Sequence, residues 1–133
     1  MAEFLFKDLV KKEGLENEFY ISSSATSLEE IGNPIHPGTK AVLREKGIEF
    51  DNHRAAQLTK SDYKEFDYII AMDSFNIRNI IKIIDVDSDN KVYKLLDFCD
   101  GGDVKDPWYT GNFDETYNDI LRGLNAFLLK LKN

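Results

Sequence analysis

A run of five apolar residues between acidic neighbours is the feature that most restricts how this chain can fold. The run covers residues 68–72, with Asp67 before it and Asp73 after it. It is far too short to span a bilayer. Its length and composition are typical of a strand buried on both faces of a parallel sheet. Since parallel strands are joined by crossover segments, usually helices, the run predicts an α/β fold.

The remainder of the chain alternates between helical and strand-like patterns. Helices are predicted at residues 2–13, 37–46, 59–65 and from 112 onwards, and Asp73 or Ser74 is expected to cap a further helix that continues to Ile84. Strands are predicted at 19–21, 68–72 and 92–96. The length of 133 residues suits a single domain over 1–133. This alternation predicts a parallel sheet with helices on both faces. Because ligands bind at the carboxyl ends of such strands, loops 22–33, 73–75 and 97–110 are expected on one side.

Charge and cysteine content exclude several function classes. The formal net charge is −7, and acids and bases are mixed along the chain, which argues against nucleic acid or an anionic membrane as the main partner. The single cysteine, Cys99, allows no intramolecular disulfide. With no histidines at metal-ligand spacing, neither a metal site nor a cofactor is predicted. Residues 1–12 lack the uninterrupted apolar stretch of a signal peptide, so a cytoplasmic location is expected.

The segment Asp106-Pro107-Trp108-Tyr109 has two interpretations. In the first, Asp-Pro starts a turn and the two aromatic residues cover the core, which spacing alone favours. In the second, the proline stiffens a loop that holds the Asp106 carboxyl over a pocket walled by an indole and a phenol. A carboxyl group placed in this way donates a proton to a leaving oxygen, an effect of roughly 10²–10⁴ in rate.

The other candidate residues have structural interpretations on their own. Hydroxyls such as that of Ser23, following a predicted strand, usually bind backbone groups. His36 precedes a helix start and is interpreted as a capping or surface residue, and His53 as a structural hydrogen-bonding residue. Cys99 is a poor nucleophile candidate, since the flanking Asp97 and Asp100 disfavour its thiolate.

Five segments, in order and together, resemble a known family. They are Met1-Ala2-Glu3-Phe4, Ser23-Ser24-Ala25-Thr26-Ser27, the stretch from His53 to Thr59, the stretch from Phe66 to Asp73, and Asp106-Pro107-Trp108-Tyr109. Across nearly its whole length the chain resembles the low-molecular-weight protein-tyrosine phosphatases. The resemblance implies a three-layer, flavodoxin-like parallel sheet and metal-free hydrolysis of phosphate monoesters through a cysteinyl-phosphate intermediate. It also implies a phosphorylated protein or small aryl phosphate as substrate, and phosphate-like anions as ligands.

The resemblance assigns roles residue by residue. Asp106 matches the general acid, which protonates the leaving phenolate and later activates water. Trp108 and Tyr109 match the aromatic pair on the substrate-binding rim. Ser23 matches a serine that supports the phosphate-binding loop, and His53 matches a histidine packed behind that loop.

The chain departs from the family pattern at its start. In relatives, a Cys-x5-Arg-Ser-Pro loop carrying the nucleophile and the phosphate-binding arginine stands immediately before a segment resembling Met1-Ala2-Glu3. The 133 residues contain no such loop. The expectation is therefore an N-terminally incomplete phosphatase domain that lacks the first central strand, is inactive as written, and has exposed sheet edges through which oligomers are possible. Genomic DNA upstream of Met1 tests this expectation, which an in-frame Cys-x5-Arg-Ser-Pro would support.

Two alternatives remain open from the sequence. One is an arsenate reductase of the same fold, although that reaction draws on additional cysteines. The other is a non-catalytic binding or signalling module, for which an acid at the end of a buried strand, Asp73, gives slight support. Among phosphatase substrates, phosphotyrosine and phosphoarginine are both open.

Overall fold

A computed structural model describes residues 1–26, 32, 34–51 and 54–132, except for the side chains of Trp108 and Tyr109. The helices in this part are α1 (Ala2–Lys12), α2 (Pro37–Glu45), α3 (Lys60–Glu65), α4 (Ser74–Ile84), α5 (Pro107–Thr110) and α6 (Phe113–Lys132). The strands are β1 (Ile69–Ala71) and β2 (Val92–Lys94), and Glu16–Glu18 and Leu95–Phe98 form 3₁₀ turns. These elements confirm the predicted α/β class.

The two strands form a parallel sheet. Ile69 is paired with Val92 and Ala71 with Lys94, and the Ile69 N–H donates to the Lys91 carbonyl at 2.8 Å. Helix α4 makes the crossover between the strands, as a parallel connection requires. The predicted parallel arrangement of the strands at residues 68–72 and 92–96 is therefore confirmed.

Local capping chemistry sets where three helices begin. Thr59 accepts from the Asp62 N–H while the Asp62 side chain accepts from the Thr59 N–H, a reciprocal capping box at the start of α3. Asp73 caps α4 by accepting from the Asn76 N–H at 2.8 Å. The His36 Nδ1 atom accepts from the Gly38 N–H at 2.9 Å at the start of α2, which confirms the interpretation of His36 as a capping residue.

The predicted strand at residues 19–21 is wrong for the described structure. Phe19 has extended dihedral angles, but residues 19–24 join no ladder within the described residues. The Tyr20 side chain is 82% exposed. Pairing begins only at Ala25, whose N–H donates to the Ala56 carbonyl at 2.7 Å. An apolar, extended segment is a strand only when a neighbouring backbone satisfies its N–H and C=O groups.

The strand predicted at residues 92–96 is shorter than expected. It ends at Lys94, and Leu95 and Leu96 lie in the following 3₁₀ turn. Both leucines are fully buried there. A short apolar run does not distinguish a buried strand from a buried turn, because both place every side chain in the core.

Helices cover both faces of the sheet. Ile69 and Ala71 point into a cluster with Tyr63 of α3 and with Ile80 and Ile84 of α4. The intervening Ile70 and Met72 pack against a second cluster built largely from α1, α2, α6 and the turn at Leu95–Phe98. Successive side chains of a strand point to opposite faces, so these contacts define three layers. No helix among the described residues is long and apolar enough to cross a membrane.

Candidate active site

Asp106 immediately precedes the first residue of helix α5. The helix begins at Pro107, a residue that suits the first helical position because it lacks an N–H group. The carbonyl oxygen of Asp106 accepts from the Thr110 N–H at 3.4 Å, and Asp106 is half-buried. The local sequence thus fixes the backbone around a carboxyl group that keeps partial access to solvent.

The loop that carries Asp106 is fastened to the end of β1 and to α6. Val104, which is buried, donates its N–H to the Met72 carbonyl at 2.8 Å. The hydroxyl of the buried Thr116 in α6 donates to the Lys105 carbonyl at 3.0 Å. The expected proximity of loops 73–75 and 97–110 at the carboxyl end of β1 is confirmed by the Val104 bond and by a Ser74–Asp103 bond of 3.2 Å.

Asp103 is held by a lysine at the end of β2. The Lys94 ammonium lies 2.9 Å from Asp103 Oδ1 and 3.4 Å from the Ser74 hydroxyl oxygen. The hydrogen bond from Lys94 holds the pKa of Asp103 below its ordinary value, and the same bond raises the pKa of Lys94. Asp103 is therefore ionised at neutral pH and is held in place by Lys94.

A shallow groove of about 400 Å³ opens beside this pair along β2. Its charged lining residues are Arg78, Lys94 and Asp97. Since Lys94 is already paired with Asp103, the lining carries both signs of charge and does not form a cationic cradle for phosphate.

Ser23 lies against helix α1, in contact with a residue that the sequence did not single out. Its hydroxyl donates to Glu3 Oε1 at 2.6 Å, and the Lys7 ammonium donates to Glu3 Oε2 at the same distance. Glu3 is only 8% exposed. An acid between apolar neighbours, in Ala2-Glu3-Phe4-Leu5, was the sequence signal for this buried carboxylate.

Three of the predicted site residues cannot be placed. His53 lies outside the described residues, and the side chains of Trp108 and Tyr109 do as well. The backbone of both aromatic residues belongs to α5, directly after Asp106. Their proposed roles on the rim, and that of His53, stay predictions.

Cys99 does not lie in a phosphate-binding loop. It is exposed, and its Sγ atom is 3.5 Å from the Leu96 carbonyl oxygen. A hydrogen bond from the thiol helps to hold the pKa of Asp100 below its ordinary value. Position 105, where a Cys-x5-Arg pattern starting at Cys99 requires arginine, is Lys105, whose ammonium is 3.5 Å from Glu115 Oε1. The Arg122 guanidinium group, which is also bonded to Cys99, lies 3.2 Å from Asp100 Oδ1 and 3.1 Å from Asp119 Oδ1, so it is already paired with two acids.

Comparison with known proteins gives one answer. The sequence pattern of the family described as low molecular weight phosphotyrosine protein phosphatase matches residues 1–133. The low molecular weight protein-tyrosine-phosphatase YfkJ of Bacillus subtilis (strain 168) is 40% identical over 135 residues, which cover 99% of this chain and 86% of that protein. The low molecular weight phosphotyrosine protein phosphatase of Gallus gallus is 38% identical over 137 residues, covering 98% and 85%.

The structural comparison agrees. The crystal structure of YfkJ matches with a TM-score of 0.92 at 40% sequence identity, covering 98% of this chain and 84% of that one. The fold is that of the flavodoxin-like phosphatases, and this chain belongs to the low molecular weight protein-tyrosine phosphatase family.

Proposed function

We propose that Asp106 is the general acid of a site that hydrolyses phosphotyrosine through a cysteinyl-phosphate intermediate. The observation that carries this proposal is the fastening of its loop, through Val104 and Met72, to the carboxyl end of β1. Ligands of parallel α/β folds bind at that end of the sheet. The half-buried Asp106 carboxyl is thus in the region where a leaving phenolate needs a proton.

The proposed cycle uses the Asp106 carboxyl group twice, first as an acid and then as a base. When a thiolate attacks phosphorus, the bond between phosphorus and the aryl oxygen breaks and the phenolate takes the proton of Asp106. The Asp106 carboxylate then accepts a proton from the water that attacks the cysteinyl-phosphate. The bond between phosphorus and sulfur breaks, which releases phosphate, regenerates the thiolate and restores the acid. Trp108 and Tyr109 form the rim around the aryl group, and Ser23 and His53 support the phosphate-binding loop in this proposal.

We also propose that residues 1–133 by themselves do not turn over substrate. Cys99 is the single cysteine of the 133 residues. Among the described residues, its hydrogen-bond partners are the Leu96 carbonyl group and the side chains of Asp100 and Arg122, not a ring of backbone N–H donors. General-acid catalysis without a nucleophile retains only a small fraction of an enzyme's rate.

The relatives' names support phosphotyrosine over phosphoarginine as the substrate. Both relatives at about 40% identity are named for tyrosine phosphatase activity. A cytoplasmic location, a single domain over 1–133 and the binding of phosphate-like anions belong to the same proposal.

Two assays test it. Purified residues 1–133 should show neither a burst nor turnover with an aryl phosphate, and robust activity abolished by Cys99→Ser would place the chemistry at Cys99 instead. In a chimera with a first strand and Cys-x5-Arg-Ser-Pro loop of family type before Met1, aryl phosphates should be hydrolysed. There Asp106→Asn should lower kcat by roughly 10²–10⁴, most strongly for substrates with poor leaving groups.

The controls for the chimera address the alternatives. Asp103→Asn is not a suitable control, since it disturbs the same loop, whereas Asp114→Asn lies in the exposed first turn of α6 and should leave kcat unchanged. An unchanged kcat in the Asp106→Asn chimera would contradict the role of Asp106. Arsenate reduction by the chimera, in place of aryl phosphate hydrolysis, would favour the reductase alternative.

A further inference from the structure

Three side chains from three different elements meet beside the loop that carries Asp106. They are Lys94 at the end of β2, Ser74 at the start of α4, and Asp103 in the loop itself. The Lys94 ammonium lies 2.9 Å from Asp103 Oδ1, and the Ser74 hydroxyl donates to the same oxygen at 3.2 Å. We call this group the Lys94 clamp.

The clamp holds the loop at Asp103, directly after two glycines and shortly before Asp106. Gly101 and Gly102 precede Asp103, both with positive φ, so the backbone reverses there without side chains to hold it. Asp103 is therefore the first side-chain attachment after the reversal. Two residues separate it from Asp106, so the two acids are three steps apart, a span of at most about 11 Å along an extended chain.

The clamp works together with backbone attachments on the same short segment. The residue after Asp103, Val104, is bonded to the Met72 carbonyl group, and the next, Lys105, is bonded through its carbonyl to Thr116. These two bonds fix the backbone against β1 and α6. The clamp ties this segment to β2, through Lys94.

The competing acids near Lys94 are already engaged. Asp97 Oδ2 accepts from the backbone N–H of Lys94 at 3.2 Å, and Asp73 Oδ1 accepts from the Asn76 N–H at 2.8 Å. The guanidinium group of Arg78 stacks on the Phe75 ring, 4.5 Å from its centroid. The Lys94 side chain is only 22% exposed, which limits solvent screening of its pair with Asp103.

We propose that Lys94 is a positioning residue. It fixes the loop from Asp103 to Asp106 and thereby the orientation of the N-terminal end of helix α5, next to Asp106. That Asp106 is a general acid rests on the proposed function. The fixing of the loop does not, because it follows from the contacts of Lys94, Ser74 and Asp103 alone.

The test measures local opening of the loop in the full chain of 133 residues. Amide hydrogen exchange of Val104 reports on the loop, and the anisotropy of the single tryptophan, Trp108, reports on α5. Lys94→Met keeps the length of the side chain but removes the ammonium group. It should speed exchange at Val104 about three- to tenfold and lower the Trp108 anisotropy, while exchange at Ala71 in β1 stays unchanged.

Matched variants separate positioning from general destabilisation. Lys60→Met breaks the Lys60–Asp85 ion pair, which has a similar length of 3.0 Å. This pair lies on the surface and includes none of the residues of the Lys94 clamp. The variant should leave both signals at wild-type values. Lys94→Arg, which retains a charged donor, should restore most of the protection, and Asp103→Asn should behave like Lys94→Met.

Two results would overturn the proposal: equal Val104 exchange in wild type and Lys94→Met, or an equal rise in Lys60→Met. Failure of the proposed function has a different signature. It would appear as an unchanged kcat in the Asp106→Asn chimera, while the exchange and anisotropy measurements on Lys94 variants would stand.

Discussion

The Tyr63 hydroxyl donates to Asp87 Oδ1 at 2.6 Å and so joins helix α3 to the turn that enters β2. The same hydroxyl oxygen accepts from the Asp89 N–H at 2.8 Å. Asp87 in turn accepts from the backbone N–H groups of Lys91 and Val92, at 2.8 and 3.1 Å. One carboxylate therefore organises the turn that sets the register of the sheet.

Removing the Tyr63 hydroxyl should destabilise the fold. Tyr63→Phe leaves the ring, which is buried, but takes a donor from Asp87 and an acceptor from Asp89. The expected fall in melting temperature is about 3–6 °C, measured by circular dichroism. Tyr20→Phe is the control, because Tyr20 is 82% exposed, and it should melt with the wild type. Equal melting of the two variants would contradict a structural role for the Tyr63–Asp87 bond.

The free energy of unfolding should fall as the pH drops below the ordinary pKa of carboxyl groups. Burial alone would raise the pKa of Asp87, but hydrogen bonds from Tyr63, Lys91 and Val92 outweigh it and hold the pKa below the ordinary value of 3.8. A carboxyl whose pKa is lower in the folded state stabilises the fold above its unfolded pKa. That contribution is lost as pH falls through the folded pKa.

Urea titrations at a series of pH values measure this loss. The midpoint should fall steeply below pH 3.8 in the wild type, with Asp87 and Asp103 both contributing, since Lys94 lowers the pKa of Asp103 in the same direction. Asp87→Asn should have a lower midpoint at neutral pH and a shallower decline in acid. A decline as steep as that of the wild type would assign the effect to other carboxyl groups.

The partly buried contact between Ser23 and Glu3 gives a third prediction. Ser23→Ala removes a donor from a carboxylate that is only 8% exposed, which should lower the free energy of unfolding by about 1 kcal/mol. Ser24→Ala, at the exposed neighbouring position, is the matched control and should change it little. The two variants are compared by urea denaturation, and equal values would mean that the Ser23–Glu3 bond adds nothing to stability.

Gly123 is a position where a better helix former should be harmful. A Cβ atom at Gly123 in α6 would lie 2.5 Å from Leu95 Cγ, and Leu95 is fully buried. The gain in helix propensity, about 1 kcal/mol, is then opposed by the cost of overpacking, about 1–3 kcal/mol. Gly123→Ala should be destabilised in urea, whereas Asn125→Ala, at an exposed position of the same helix, should be neutral or slightly stabilised. A stabilised Gly123→Ala would show that Leu95 has room to move.

The sequence predicts those features whose causes are local. Asp73, one of two residues expected to cap α4, does cap that helix, and Thr59 caps α3, because a cap depends on residues only three positions away. The parallel pairing around Ile69 also follows from a pattern, since an apolar run between acids favours a strand with both faces covered. The strand at residues 19–21 fails for the opposite reason, because a strand depends on a distant backbone.

The site is predictable only in part for a similar reason. The sequence places the Asp106 loop beside the end of β1, and the Val104–Met72 bond confirms that placement. Lys94 is not identifiable in advance, because a lysine in a strand resembles an ordinary surface residue. For Glu3, the apolar neighbours signal burial but not its partners, Ser23 and Lys7. Their burial and partners depend on which elements pack together.

The outer edge of β2 gives the last prediction, which concerns self-association. The Lys91 carbonyl group points toward β1, where it accepts from the Ile69 N–H. In a parallel pair the backbone groups of alternate residues point to opposite sides, so the N–H groups of Val92 and Lys94 point away from β1. Both outward N–H groups are occupied by carboxylates: Val92 by Asp87 Oδ2 at 3.1 Å and Lys94 by Asp97 Oδ2 at 3.2 Å. A strand from a second copy would have to displace them, which protects this edge from pairing.

Removing one of these acceptors should therefore promote association through β2. Asp97→Ala frees the Lys94 N–H and should raise the weight-average mass in sedimentation experiments as concentration increases, whereas wild type should not associate through this edge. Asp97→Asn retains a side-chain carbonyl acceptor at the same position and should behave like the wild type. If Asp97→Ala sediments as the wild type does at every concentration, occupation of the Lys94 N–H is not what limits pairing at this edge. If the wild type associates and its Val92 and Lys94 amides gain exchange protection, the carboxylates do not block the edge at all.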